Sequence, residues 1–375
     1  MNTGRDLSSP VVDGDDAIPP LAGREILICD TTLRDGSHSI GHQFSLDNVR
    51  EIAGALDASG VNVIEVTHGD GLGGGSFNYG FGAETDIDLI TAARGVVNRG
   101  KLAALLLPGI GTIADLERAH DAGIDLVRVA THCTEADISI QHLEHARKLG
   151  LETVGFLMMS HMVGPNRLAS EAQIMKDAGA QTVYVVDSAG AMLPHQVAQR
   201  VVAVRQRLGQ ETAVGMHAHN NLGSAVGNAL AAALAGATIL DGSCHGLGAG
   251  AGNAATEVLV AALDRAGART TVDTLSLMDA AEDVVARICA GRLPQIDRGS
   301  LLLGYAGIYS SFLLHTRRAA ERYSVRESDI LLELGRRRVV GGQEDMIIDV
   351  AVELAATASR SGVRSGGGAG RSDGL

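Results

Sequence analysis

The chain has 375 residues, an apolar fraction of 45% and a formal net charge of −13, with aromatics at only 3% and no tryptophan. That balance suits an ordinary globular protein with a full core, of the size of one α/β barrel plus an appendage or of two domains. It excludes a nucleic-acid binder, which would need a basic surface and stacking side chains, and no apolar run reaches the roughly 18–20 residues of a membrane span.

In chain order, residues 1–23 are polar, acidic and proline-rich, and read as a disordered arm without the basic start and apolar stretch of a secretory signal. From residue 24 to 270, short apolar or β-branched runs alternate with stretches of helical period. The predicted strands are Ile26 to Cys29, Val63 to Val66, Leu102 to Leu107, Leu126 to Ala130, Thr153 to Met158, Thr182 to Val186, Ala213 to Ala218 and Thr238 to Asp241. Intervening segments such as "SLDNVREIAGALDASG" and "TEADISIQHLEHARKLG" carry apolar residues at three- and four-residue steps and end in glycine, with Ser45 and Thr134 as expected helix starts. Eight such units predict a (β/α)8 TIM barrel, with an open doubly wound sheet as the alternative. Residues 271–358 change texture to helix-like segments, "TLSLMDAAEDVVARICAG", "SSFLLHTRRAAERY", "SDILLELGRR" and "EDMIIDVAVELAATA", and predict a small α-helical C-terminal domain. Residues 359–375 are Gly/Ser-rich and read as a flexible tail.

Polar clusters fall where strands end. "CDTTLRDGSH" follows the first strand, "THGDG" the second, "THCTEAD" the fourth, "DSAG" the sixth, "HAHNN" closes the seventh and "DGSCHGLGAGAGN" the eighth. In a barrel these termini form one mouth, where active sites assemble. His217 and His219, two apart on a strand, project from one face. With Asp35 they make a two-histidine, one-carboxylate set suited to a divalent metal with open positions. Such a set activates dioxygen on iron or chelates an α-keto acid on Mn²⁺ or Mg²⁺. The neighbouring Arg34 favours the second use, because a guanidinium stabilises an enolate oxygen. His38 is placed to act as a base. His68, His132 and Glu135 are expected behind the reacting groups rather than as ligands. The run "GLGAGAGN" reads as tight backbone turning at the rim, not as a dinucleotide fingerprint, with Asn253 expected to start the last barrel helix. The apolar Leu105 to Leu107 is expected to line a pocket. Cys29, Cys133, Cys244 and Cys289 have no C-x-x-C spacing, which suits a reducing cytoplasm.

Taken together, "TTLRDGSH", "VIEVTHGDGLGGGSFNYGFG", "ATHCTEAD", "VYVVDSAGAM", "VGMHAHNNLG", "GAGAGNA", "GYAGIYSSF" and "VGGQEDM" resemble the 4-hydroxy-2-oxovalerate aldolases, class II pyruvate aldolases of bacterial pathways for aromatic compounds and sterols. The likeness runs from about Arg24 to Ala356. It implies a barrel followed by a helical communication domain, and retro-aldol cleavage of 4-hydroxy-2-oxoacids to pyruvate and a short aldehyde. Mn²⁺, replaceable by Mg²⁺ or Co²⁺, would be held by Asp35, His217 and His219. Arg34 would bind substrate and stabilise the enolate, His38 would be the base, and Ser188 and Tyr309 would contact substrate, with Tyr309 preferred to Tyr305. The resemblance further implies a heterotetramer with an acylating acetaldehyde dehydrogenase that receives the aldehyde. A Claisen-type acyl-CoA-dependent synthase of the same superfamily and a non-catalytic scaffold are the alternatives.

Overall fold

The computed structural model describes residues 20–77 and 79–365. Eight parallel strands, β1 (Leu27–Asp30), β2 (Val63–Glu65), β3 (Lys101–Leu106), β4 (Leu126–His132), β5 (Glu152–Met158), β6 (Thr182–Asp187), β7 (Ala213–Ala218) and β8 (Ile239–Gly242), pair in sequence order. Leu27 to Asp30 of β1 then ladder with Ile239 to Gly242 of β8, closing the barrel and disposing of the open-sheet alternative. The predicted strands lie within two residues of the observed ends. The largest shortfall is β4, whose Thr131 and His132 still pair with Leu157 and Met158, although the apolar run that marked it stops at Ala130.

Helices α1 (Leu46–Ala58), α2 (Asp86–Arg94), α3 (Ile113–Asp121), α4 (Ile140–Lys148), α5 (Pro165–Asp177), α6 (Pro194–Leu208), α7 (Ala225–Ala235) and α8 (Thr256–Arg265) follow their strands and cover the sheet. Ser45 caps α1, its hydroxyl accepting the Asn48 N–H at 3.2 Å while the Asn48 side chain takes the Ser45 N–H. Thr134 does not start a helix. Its hydroxyl bonds the His132 imidazole at 2.8 Å, a 3₁₀ turn spans Ala136–Ser139, and α4 begins only at Ile140. Asn253 likewise stands before its helix, which begins at Thr256 after Ala255. Its buried amide donates instead to the Leu247 carbonyl at 2.9 Å.

Helix α9 (Thr274–Asp279) runs into a π-helical turn at Ala280–Ala286. Its stripe of Leu277, Ala281, Val285 and Cys289 is buried in the same core as the barrel helices, so this segment, expected to open the helical domain, is packed as a barrel element. A second core of Leu303, Ile308, Phe312, Ile330, Leu334 and Val350 is built by α10 (Arg298–Ala306), α11 (Phe312–Tyr323), α12 (Glu327–Arg337) and α13 (Met346–Ser365). The α10 helix was not anticipated; Asp297 caps it through the Ser300 N–H at 2.7 Å. It seats on the loops after β6 and β7 at Gly304, where a Cβ would meet Asn221 Cβ at 2.9 Å and the Gly190 carbonyl at 3.1 Å.

Leu21, placed in the expected arm, is buried and donates its N–H to Ala266 at 2.9 Å; the arm before residue 20 lies outside the described residues. The expected tail begins inside α13, and its remainder after residue 365 lies outside the described residues. Among the described residues no helix is long and apolar enough to cross a membrane.

Candidate functional site

The strand C-termini open into a cavity of about 980 Å³, roofed by residues between α10 and α11 and between α12 and α13. Asp35 lies just after β1 and His217 and His219 at the end of β7. Asp35 Oδ2 stands 3.3 Å from His217 Nε2 and 3.5 Å from His219 Nε2, and Arg34 Nη1 approaches the same oxygen at 2.9 Å. These residues are buried yet line the cavity.

Each imidazole is fixed by a hydrogen bond on its far side. His217 Nδ1 donates to Asp241 Oδ2 at 2.8 Å, and His219 Nδ1 donates to the Ala249 carbonyl at 3.4 Å. In the neutral rings both Nε2 atoms are then bare and point toward a carboxylate oxygen. Acceptors facing acceptors at this distance require a cation or a proton between them, which is the donor set and outer arrangement of a metal-binding histidine pair. The titration behaviour agrees. Burial works against a charged His217, yet Asp241 and Asp35 outweigh it and push its pKa up. Burial likewise opposes ionisation of Asp35, but Arg34 and the two imidazoles hold its carboxyl well below the usual carboxylate range. Asp35, His217 and His219 thus fit a divalent ion.

The glycine-rich turn after β8 serves this cluster. The Ala249 N–H donates to Asp35 Oδ1 at 3.3 Å, and a Cβ at Gly248 would lie 2.5 Å from Asn253 Nδ2 and 3.2 Å from Asp35 Oδ1. Only a residue without a side chain lets the backbone come this close.

Beneath the mouth the charges close a circuit. Arg34 Nε bonds Glu65 Oε2 at 2.7 Å and Glu65 meets Arg128 Nη1 at 3.0 Å. Arg128 Nη2 meets Asp241 at 2.5 Å, and Asp241 leads through His217 and Asp35 back to Arg34. Arg128, 1% exposed in the barrel interior, lies against Phe156 and Tyr184, its guanidinium carbon 4.4 and 4.5 Å from the ring centres. Burial alone would favour discharging both arginines, but their carboxylate partners hold them protonated more firmly than usual. Arg34 Nη2 has no hydrogen-bond partner among the described residues and belongs to a residue that lines the cavity.

His38, Ser188, His132, Glu135, Leu105 and Leu107 also line the cavity; Leu106 alternates outward into the core between sheet and helices. Tyr309 reaches into the cavity from the roof, as Ser188 does from the wall, whereas Tyr305 is 75% exposed. His68 sits behind this wall, stacked on His42 with ring centres 3.8 Å apart.

A family model described as HMGL-like matches residues 25–284, and one described as a DmpG-like communication domain matches residues 294–356. The chain is 56% identical over 336 residues to the 4-hydroxy-2-oxovalerate aldolase of Moorella thermoacetica, covering 89% of this chain and 98% of the relative. To that of Roseiflexus sp. it is 58% identical over 327 residues, covering 87% of this chain and 96% of the relative. The chain belongs to the 4-hydroxy-2-oxovalerate aldolase family. Solved structures similar to this aldolase-family chain include the carboxyl transferase domain of Rhizobium etli pyruvate carboxylase, with a TM-score of 0.74 at 17% identity over 90% of this chain and 62% of that one. Bacillus subtilis HMG-CoA lyase gives 0.61 at 22% identity over 73% and 97%. At these identities they show the shared barrel fold alone.

Sequence reasoning passed over Glu65, Arg128, Asp241 and His42. The first three had a signal: a single charge inside an otherwise apolar strand, as in "VIEV", "LVRVA" and "ILDG". Such a residue must be paired in the interior. His42 carries no comparable mark.

Proposed function

We propose that the chain cleaves 4-hydroxy-2-oxovalerate, and related 4-hydroxy-2-oxoacids, to pyruvate and acetaldehyde or another short aldehyde by a retro-aldol reaction. The observation that carries this is the convergence of Arg34, His217 and His219 on one Asp35 oxygen at the wall of the cavity over the strand C-termini.

Asp35, His217 and His219 would hold the divalent ion, Mn²⁺ by preference with Mg²⁺ or Co²⁺ as substitutes; when bound it supplies Lewis acidity toward the 2-oxo carbonyl. His38, on the cavity wall, accepts the proton of the C4 hydroxyl. The C4–O electrons form the aldehyde carbonyl, the C3–C4 bond breaks, and its electron pair passes into the enolate of pyruvate. Arg34, kept charged by Glu65 and Asp35, offers its unpartnered Nη2 to the enolate oxygen. Ser188 and Tyr309 bound the substrate from the side and the roof, and Leu105 and Leu107 face the aldehyde's alkyl end. Protonation at C3 completes pyruvate.

We further assign the helical region to an acylating acetaldehyde dehydrogenase, in a heterotetramer through which the aldehyde is handed on. The communication-domain match and a cavity roofed by that same region support this reading. Four free cysteines, all buried, suit a reducing cytoplasm. The test is pyruvate release followed through lactate dehydrogenase, with metal-stripped enzyme and Mn²⁺ add-back. Cleavage that returns with Mn²⁺ supports the assignment, while activity only with an acyl-CoA and a keto acid removes it.

A further inference from the structure

Beside the first cluster the cavity wall carries another group of donors. His38, His42 and Asp70 each present one ligand atom, all within 4.8 Å of one another, and all three residues line the cavity. The His38 and His42 rings meet edge-on with centres 4.8 Å apart.

One carboxylate oxygen in this group is buried without a counter-charge. The Ser37 hydroxyl donates to the Arg34 carbonyl at 2.6 Å, so at 2.9 Å it can only accept from His42 Nδ1. On the other side of the ring Nε2 meets the Tyr79 carbonyl at 3.1 Å, a hydrogen bond that a bound ion would replace. His68 Nδ1 accepts the Asp70 N–H at 3.2 Å, so it has no proton to offer Asp70 Oδ2, 3.6 Å away. Among the described residues Asp70 Oδ2 is buried without a hydrogen-bond partner, and no arginine or lysine is within ion-pair distance of it.

We propose that His38, His42 and Asp70 form a second, inhibitory site for a borderline divalent cation such as Zn²⁺, separate from the Asp35, His217 and His219 site. Two imidazoles and a carboxylate with a fourth position open to the cavity match the ligand preference of zinc. An ion there occupies the His38 lone pair, which must be free to accept a proton. Binding stands on this geometry alone; inhibition rests on the reading of His38 as the base.

The experiment titrates Zn²⁺ into Mn²⁺-loaded enzyme in excess Mn²⁺. Both metals are counted by mass spectrometry after desalting, and pyruvate release is followed in parallel. The expected result is one Zn²⁺ gained with Mn²⁺ retained, turnover falling with the gain, and Zn²⁺ affinity lowered at least about tenfold in Asp70→Asn and in His42→Ala. One-for-one exchange of Zn²⁺ for Mn²⁺, no added equivalent, or an added equivalent indifferent to both substitutions overturns the site. Zn²⁺ that binds through Asp70 and His42 but leaves turnover unchanged overturns the inhibition and, separately, the role of His38. A failed Mn²⁺ site reads differently, as absent Mn²⁺ at every Zn²⁺ concentration.

Discussion

Arg128→Met keeps the length of the side chain and removes its charge. In the intact protein the guanidinium lies between Glu65 at 3.0 Å and Asp241 at 2.5 Å, with both carboxylates fully buried. Met leaves two interior anions facing an apolar group, and breaking a buried pair in this way costs about 3–5 kcal/mol. With an unfolding entropy of about 2.1 cal/mol/K per residue, a chain of this size then melts roughly 4–6 °C lower. Glu65→Gln combined with Arg128→Met removes one of the stranded anions, so the double variant recovers part of the loss, with an interaction energy of about 1–3 kcal/mol. Denaturant melts of the four proteins measure this cycle. Turnover provides a second readout: Arg34 is steered by Glu65, and misplacement of such a group by about 1 Å costs on the order of 10²-fold. A single variant within about 1 kcal/mol of the parent, or a double variant equal to the sum of its singles, would refute the idea that these charges act as one unit.

The remaining expectations concern single groups. His38→Ala lowers turnover by about 10²–10⁴-fold while Mn²⁺ stays bound; parental turnover removes His38 from the mechanism. Asp241→Asn weakens Mn²⁺ binding by about 10–100-fold by disturbing the support of His217, and isothermal titration showing parental affinity counts against that support. Leu105→Ala relaxes the preference for aldehyde chain length in competition assays, and unchanged selectivity clears this wall of that role. Asp30, buried at the end of β1, has its pKa raised by burial from 3.8 to about 6, against the Thr256 and Thr32 hydrogen bonds. Between these values the folded state holds a proton that the unfolded chain has released, so stability falls as pH rises from about 4 to 6, by about 3 kcal/mol in all. Asp30→Asn therefore gains on the parent over that interval in urea melts, and a difference that does not change with pH rejects the assignment.

Much of the barrel was legible because its signals are local. Alternating strand and helix periods depend on neighbours within about ten residues, and the two-residue spacing of His217 and His219 already places both on one face. Polar clusters at strand ends located the mouth for the same reason. The misplaced starts at Thr134 and Asn253 show where local rules stop. Each has the composition of a cap, but its polar group is used by a partner elsewhere, His132 and Leu247 respectively. The helix from Thr274 looked like the start of a new domain because its periodicity says that it buries a stripe, without saying against what. The Arg128–Asp241 pair joins positions 113 residues apart. A charge in an apolar strand announces that a partner exists, but only the closure of the sheet decides which one.

The floor of the cavity is held by the barrel and its ceiling by a bundle with its own core, joined where Gly304 presses on the loops after β6 and β7. The room available above the reacting atoms is therefore set by how one body is seated on the other. A substitution in that seam, touching nothing that reacts, changes which molecules fit as surely as one in the wall, so tolerance for larger aldehydes can be selected without disturbing the chemistry below.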